Sequence, residues 1–410
     1  MELKKIEIEG YKGISYLTFN PKKINLLLGK NNTCKTTLIE AIDLLFDNDK
    51  IQNRNMGSYF NIYSREKIIK LCGETLEKKE QIELKDAEET EVIGAFRKEL
   101  IENFLTNLSR KSKKTFSGTL TKELEKVVEK NIDSELRSSI SRNSLILSKD
   151  DKEEIYYGIY DFSLIDNLEN LIDSISDYIL NTLPEELKQE YKRYLRYASE
   201  QTLFLTRGAL SDKAKKNEGK NIIYIDENSL SNDFRRSFSQ RKPEDSAKLY
   251  RLKELIKENN LIENFKDLDF DNVTFFSENE IKSHPLIFLG DGVQSIIGFL
   301  WKFLDKVDNS VILFDEPETH MRPGYTKQLV KFILDFSERM NIQFFIVTHS
   351  PDILDIIFSK DLDENMQEYL KKELNILRMN KIGEETDVEC LGYQEAKETR
   401  DDLFLDLRGI

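Results

Sequence analysis

The chain has 410 residues, 39% apolar and 33% charged, with a formal net charge of −14. That length holds one large or two medium domains, and the acidic balance argues against a surface coated throughout for nucleic acid, though not against a local basic groove. The cysteines Cys34, Cys72 and Cys390 stand far apart without metal-ligand spacing, which argues against a disulfide framework and for a reducing cytosol. Leu3 to Glu9 alternates apolar and charged residues as a half-buried strand does, and Tyr11-Lys12-Gly13 breaks it. This opening lacks the apolar run of a signal peptide. No stretch approaches the ~20 apolar residues of a membrane span, so a cytoplasmic location and no membrane contact are expected.

Ile24 to Leu28 is a short apolar run ending at Gly29, the pattern of a buried strand feeding a tight loop. Leu38, Ala41, Ile42, Leu45 and Phe46 then fall at helical spacing, with Glu40 and Asp43 expected to face away. From Glu91 to Glu200, Lys and Glu are dense, Gly and Pro are sparse and apolar residues recur at helical spacing, which predicts a large helical insertion. Asn221 to Glu227 is a strand candidate, and Gln240 to Lys257 reads as a charged helix. Val311 to Phe314 and Ile342 to Val347 have the branched and aromatic content of central parallel strands. The tail after Pro351 reads as charged and helical, and there is no internal repeat.

Gly29-Lys30-Asn31-Asn32-Thr33-Cys34-Lys35-Thr36-Thr37 lies between the strand and helix predicted around it. Backbone N–H groups of such a loop point inward at a helix N-terminus and cradle phosphates. Lys35 is then expected against the β- and γ-phosphates, and the Thr36 hydroxyl on Mg²⁺. A chance Gly…Lys-Thr in a loop is the bland alternative, and the strand-before, helix-after context counts against it. Cys34 stands where this pattern has a second glycine. Its Cβ is expected to crowd the phosphate, and it is either a reactive thiol or a tolerated small residue.

Asp315-Glu316 closes an apolar run, where Asp315 is placed to hold Mg²⁺ and Glu316 to polarise an attacking water. Ile222 to Glu227 has the same shape. The later copy is preferred, because Pro317-Glu318-Thr319-His320 and then a strand ending in Val347-Thr348-His349-Ser350 follow it. Asp226 and Glu227 are read as loop or edge carboxylates.

In order, the phosphate loop, Leu289-Gly290-Asp291-Gly292-Val293-Gln294, Asp315 to His320, and Thr348-His349-Ser350-Pro351 resemble an ABC-type ATPase head, closer to the RecF, SMC and OLD (overcoming lysogenization defect) group than to transporter ATPases. Ile6 to Gly13 is similar to that group's first strand and turn. The resemblance covers roughly the first 60 residues and Leu286 to Leu354, and no motif covers the middle. It implies an α/β P-loop NTPase with a mixed, mainly parallel central sheet. The lobes would span residues 1–90, with the Walker A loop, and 201–355, with signature, Walker B and His switch. A helical insertion (91–200) and a charged helical tail (356–410) would complete the chain.

The resemblance further implies two heads closing on ATP as a homodimer or higher homo-oligomer. Gly290, Gly292 and Gln294 would reach the γ-phosphate in trans, and His349 would be the switch histidine. Gly290 replaces the usual serine, and a glycine turn before a helix explains the same stretch. His284 reads as a loop histidine and His320 as part of the segment crossing the dimer interface. Gln52, Gln81 and Gln201 are unranked candidates for the magnesium-sensing glutamine.

OLD-type proteins often carry a Toprim nuclease after the ATPase. Asp361-Leu362-Asp363 has the letters, but no strand-borne glutamate precedes it, and a solvated turn is the preferred reading. The basic runs Arg110 to Lys114, Lys213 to Lys220 and Arg235-Arg236 (with Phe234 and Phe238 nearby) read as solvated faces rather than a DNA path. Two functions follow. One is a slow ATPase in DNA maintenance or anti-phage defence, stimulated by DNA or by a separate effector such as a nuclease. The other is a nucleotide-gated scaffold that binds ATP without turning it over and sequesters an effector.

Overall fold

The computed structural model describes residues 2–47, 68–76, 78–116, 118–142, 144–149, 152–157, 165–212, 222–225, 245–277, 280–304, 309–319, 321, 323–360, 362–383, 385–401 and 407. The chain opens with the hairpin β1 (Leu3–Tyr11) and β2 (Ile14–Phe19), turned at Lys12, whose φ is 47°. β3 (Ile24–Leu28) is buried at every position. α1 (Lys35–Phe46) follows the glycine-led loop, and β4 (Ile68–Thr75) and β5 (Lys79–Asp86) return antiparallel beside β1.

The insertion comprises α2 (Glu89–Ser112), α3 (Gly118–Asn131), α4 (Ser134–Arg142), the hairpin β6 (Ser144–Lys149) and β7 (Lys152–Tyr157), α5 (Ile165–Thr182) and α6 (Glu185–Asp212). The insertion is largely helical, as expected, and also contains one hairpin that the helical reading did not include. β6 and β7 extend the first sheet to the order β2-β1-β4-β5-β6-β7. The helices enclose their own core, with Phe96 and Phe104 of α2 meeting Leu124, Ile175 and Leu195.

β8 (Ile222–Ile225), α7 (Asp245–Glu258), the antiparallel trio β9 (Phe265–Leu268), β10 (Asn272–Ser277) and β11 (Glu280–Pro285), and α8 (Asp291–Phe303) come next. The chain closes with β12 (Val311–Asp315), α9 (Pro323–Arg339), β13 (Gln343–Val347), α10 (Pro351–Ile357), α11 (Glu364–Glu373), β14 (Leu374–Ile382), β15 (Glu385–Gly392) and α12 (Tyr393–Asp401). The central sheet runs β15-β14-β3-β13-β12-β8, parallel except for β15, which is the mixed, mainly parallel sheet expected. The tail expected to be helical thus supplies two strands, one of them beside β3. Its apolar positions Leu374, Ile376, Leu377 and Met379 are fully buried. The intervening Asn375 and Arg378 hide that pattern in the sequence.

Both faces of the central sheet are covered, which explains the unbroken apolar runs. Ile312 and Phe314 face a core shared with α8 and α9, whereas Val311 and Leu313 face a core shared with α1. Phe299 of α8 stacks on Phe314 with ring centroids 4.7 Å apart. α1 lies between the sheets, touching β4 and β5 on one side and β8, β12 and β13 on the other. Asp43, expected to face away, is consequently buried at 6% exposure, because a helix enclosed between two sheets has little outer face. Gln343 is buried and ties the sheets together. Its amide nitrogen donates to the carbonyls of Leu3 (3.0 Å) and Lys22 (2.8 Å), and its oxygen accepts from the Leu3 amide at 2.8 Å. Among the described residues no helix is long and apolar enough to cross a membrane.

Candidate functional site

Parallel register brings three strand ends to one edge of the central sheet. Leu27 pairs with Val347, and Val347 pairs with Asp315. Loops leaving the C-terminal ends of parallel strands build the binding crevice of open α/β sheets. Here they are the β3–α1 loop and the segments following β12 and β13.

Gly29 has a φ of 151°. A Cβ there would collide with the Met379 carbonyl oxygen and lie 2.6 Å from Thr33 Oγ1, so this turn admits only glycine. Asn32 and Cys34 hold φ values of 65° and 66°, the left-handed region. Cys34 is the N-cap of α1 and makes no side-chain capping bond. The Cys34 side chain packs toward Gly13 and β15. A Cβ on Gly13 would lie 2.5 Å from Cys34 Sγ, and Thr386 Oγ1 on β15 is 3.5 Å from the same sulfur. The bare Cα of Gly13 makes room for the thiol that replaces glycine in the loop.

Asn31, Asn32, Thr33, Cys34, Lys35, Thr36, Thr37 and His349 line one cavity of about 340 Å³. At this helix start the peptide dipoles favour an anion. Lys35 is 5% exposed and donates to the carbonyls of Gly29 (2.9 Å) and Lys30 (2.7 Å). Burial pulls its ammonium below the ordinary lysine value, with Glu316 and Asp315 opposing that shift. Thr36 Oγ1 donates to Asp315 Oδ1 at 3.4 Å. Hydroxyl plus carboxylate is the hard-oxygen pair that Mg²⁺ takes alongside waters and phosphate oxygens. Among the described residues no group of three or more His, Cys, Asp and Glu is placed to hold a metal.

Glu316 has a φ of 48°, and its amide donates to the Val347 carbonyl at 3.0 Å. Its Oε1 lies 3.4 Å from His349 Nε2, and its Oε2 accepts from Thr319 Oγ1 at 3.3 Å. Sequence reasoning assigned no role to Glu318. Its carboxylate accepts hydrogen bonds from Thr348 Oγ1 and from the amides of His349 and Ser350. Desolvation by burial raises its carboxyl above the ordinary glutamate value, against those hydrogen bonds. The signal available in the sequence was Glu318 two residues beyond Glu316, but nothing there fixed its target.

Gly290, Gly292 and Gln294 do not line the cavity. Gly290 caps α8, and Gln294, 7% exposed, turns its amide onto the Leu289 carbonyl at 2.7 Å. A Cβ on Gly290 would meet nothing within 4 Å, so sterics do not explain the missing serine. Gln81 lies on β5 and Gln201 on α6, and neither lines the cavity. His284, expected in a loop, sits on β11 opposite Val273. Asp363 caps α11 by accepting from the Met366 amide at 2.8 Å. Arg110 and Lys111 close the last turn of α2, where cations suit the helix dipole, and Lys111 Nζ sits 4.4 Å from the Tyr197 ring centre. Gln52, Asp226, Glu227, His320, Asp361 and the basic runs Lys213 to Lys220 and Arg235-Arg236, with Phe234 and Phe238, lie outside the described residues.

Residues 1–354 match the family profile described as AAA ATPase domain. No curated protein matches the chain. Solved structures that align with it include an SMC head domain from Thermotoga maritima, at 11% identity over 95% of this chain and 99% of that one, with a TM-score of 0.42. An SmcHead bound to the C-winged helix domain of ScpA aligns at 12% identity over 97% and 100%, with a TM-score of 0.45. An Smc head domain with an extended coiled coil, bound to the C-terminal domain of ScpA derived from Pyrococcus furiosus, aligns at 12% over 98% and 99%, with a TM-score of 0.39.

Proposed function

The chain belongs to the AAA ATPase domain family, and from that premise we propose that its cavity takes the triphosphate of ATP and that hydrolysis there gates a partner. One observation carries this reading. The glycine-led loop with Lys35, the Thr36–Asp315 pair and the Glu316–His349 pair meet at a single sheet edge. Lys35 exchanges the Gly29 and Lys30 carbonyls for β- and γ-phosphate oxygens. Amides of Asn31, Asn32, Thr33, Cys34, Lys35, Thr36 and Thr37 complete the cradle. Thr36 and Asp315 would hold Mg²⁺, which would neutralise charge developing on the phosphates. Glu316 accepts the proton of the attacking water, and His349 contacts the γ-phosphate.

The head works as a homodimer or higher homo-oligomer. A second copy's Gly290, Gly292 and Gln294 close over the nucleotide once Gln294 releases the Leu289 carbonyl. Residues 1–90 and 201–355 act as the two lobes, residues 91–200 as the arm toward a separate effector such as a nuclease or toward DNA, and 356–410 as a brace on the sheet. The setting is cytoplasmic, in DNA maintenance or anti-phage defence. The second reading, a gated scaffold without turnover, is supported by Cys34 and Gly290, which stand where the motifs have a glycine and a serine.

ATP turnover by the purified protein, with and without double-stranded DNA, separates the two, with Lys35→Ala and Glu316→Gln alongside. Turnover lost in both variants supports the ATPase. Tight ATP binding with no turnover in the wild type supports the scaffold.

A further inference from the structure

Besides the contact between the Glu316 and His349 side chains, two ties join the chain leaving β12 to the end of β13 and the chain that follows it. One is the backbone bond from the Glu316 amide to the Val347 carbonyl, which any residue could make. The other hangs on one carboxylate oxygen. Glu318 Oε1 gathers the Thr348 hydroxyl, the His349 amide at 3.3 Å and the Ser350 amide at 3.2 Å. Thr348 is fully buried, and its Oγ1 also accepts from the Ser350 amide at 3.0 Å. Among the described residues, Glu318 Oε2 is buried without a hydrogen-bond partner. An orphaned carboxylate oxygen is costly to bury. The arrangement therefore spends stability to clamp the backbone of His349, the residue whose ring reaches Glu316.

We propose that Glu318 is a positioning residue, which fixes the His349 loop on the end of β12 so that the His349 ring and the Glu316 carboxylate stay in register for the chemical step. This deepens the ATPase reading above and rests on it. Glu318 itself does not line the nucleotide cavity. Its loss should therefore spare nucleotide binding and slow the step after it. Because the clamp is built from acceptor geometry, glutamine should replace it, since its amide oxygen can take the same three donors.

The test compares wild type, Glu318→Ala and Glu318→Gln for kcat and KM with Mg-ATP, and for hydrogen exchange at the His349 and Ser350 amides. The proposal expects Glu318→Ala to lower kcat by more than about tenfold with KM within about threefold, and Glu318→Gln to restore kcat to within about threefold of wild type. It also expects the two amides to exchange faster in Glu318→Ala while the rest of the chain keeps its protection. Wild-type kcat in Glu318→Ala overturns it, and so does a uniform loss of protection across the chain in Glu318→Gln. Should Glu318→Ala not fold, Thr348→Val removes one of the donors and must give a smaller fall in kcat at constant KM. Should the wild type not turn over ATP, the ATPase reading fails on its own. The amide exchange then decides the clamp, with unchanged protection in Glu318→Ala overturning it.

Discussion

His349 Nε2 stands 3.4 Å from Glu316 Oε1, and the two residues reach that contact from adjacent parallel strands whose register places Asp315 opposite Val347. Glu316 does so at a φ of 48°, a conformation that side chains other than glycine adopt at a cost. The register of the two strands thus brings the pair together. Glu316→Gln keeps the size and the hydrogen bonding but removes the carboxylate proposed as the base. It should bind ATP within about threefold of wild type and lose at least about 100-fold in kcat. Phosphate release beside an equilibrium ATP titration checks this. Weakened binding with unchanged kcat would refute the assignment.

The Cys34 thiol and Gly13 form a matched pair, since a Cβ on Gly13 would lie 2.5 Å from the sulfur. Gly13→Ala alone should destabilise by about 1–3 kcal/mol through overpacking. In a Cys34→Gly background the same change should cost less than about 1 kcal/mol, because the clash is gone. Denaturant unfolding of the four proteins measures the coupling. Additive effects would show that the thiol does not depend on the bare Cα of Gly13.

The Gly29-led loop between a buried strand and a helix, β12, β13 and the placing of Asp315, Glu316 and His349 after them were legible in the sequence, because buried parallel strands read as apolar runs and tight loops need fixed glycines. β14 was not legible, since Asn375 and Arg378 interrupt its apolar pattern and Arg378 reaches Glu389 across the strand pair. The hairpin β6–β7 was hidden within a charged, helix-like stretch and is held by pairing with β5, a contact that local periodicity cannot announce. Asp43 was expected to face solvent because it is a carboxylate on the polar side of its helix pattern, and it is buried because the helix lies between two sheets. Glu318 had no assigned role, because its partners Thr348, His349 and Ser350 lie about one helix and one strand further along the chain.

Gln343 offers a case where a buried polar residue holds distant elements together, joining the Leu3 amide and carbonyl and the Lys22 carbonyl. Gln343→Leu would leave those backbone groups without this partner. The expected loss is on the order of 3 kcal/mol, given a penalty of about 1–3 kcal/mol for each orphaned buried group. Urea unfolding measures it, and a loss under about 1 kcal/mol would mean that water or relaxation replaces the amide.

Glu318 makes stability depend on pH in a direction opposite to that of a salt-bridged carboxylate. Burial raises its folded value above the 4.5 of an ordinary glutamate, while the unfolded chain titrates near that ordinary value. Between the two values the folded state binds more protons, so this residue's contribution to stability falls as pH rises through that window. Below 4.5 both states are protonated and the contribution is fully present. Above the raised value it is lost. Glu318→Gln does not titrate there and serves as the reference. The stability of the wild type minus that of Glu318→Gln should grow as pH is lowered from 7 toward 5, read by urea unfolding at each pH with the nucleotide absent. A difference that is flat, or that shrinks toward acid, would show that the hydrogen bonds from Thr348, His349 and Ser350 outweigh the burial and hold the carboxylate charged.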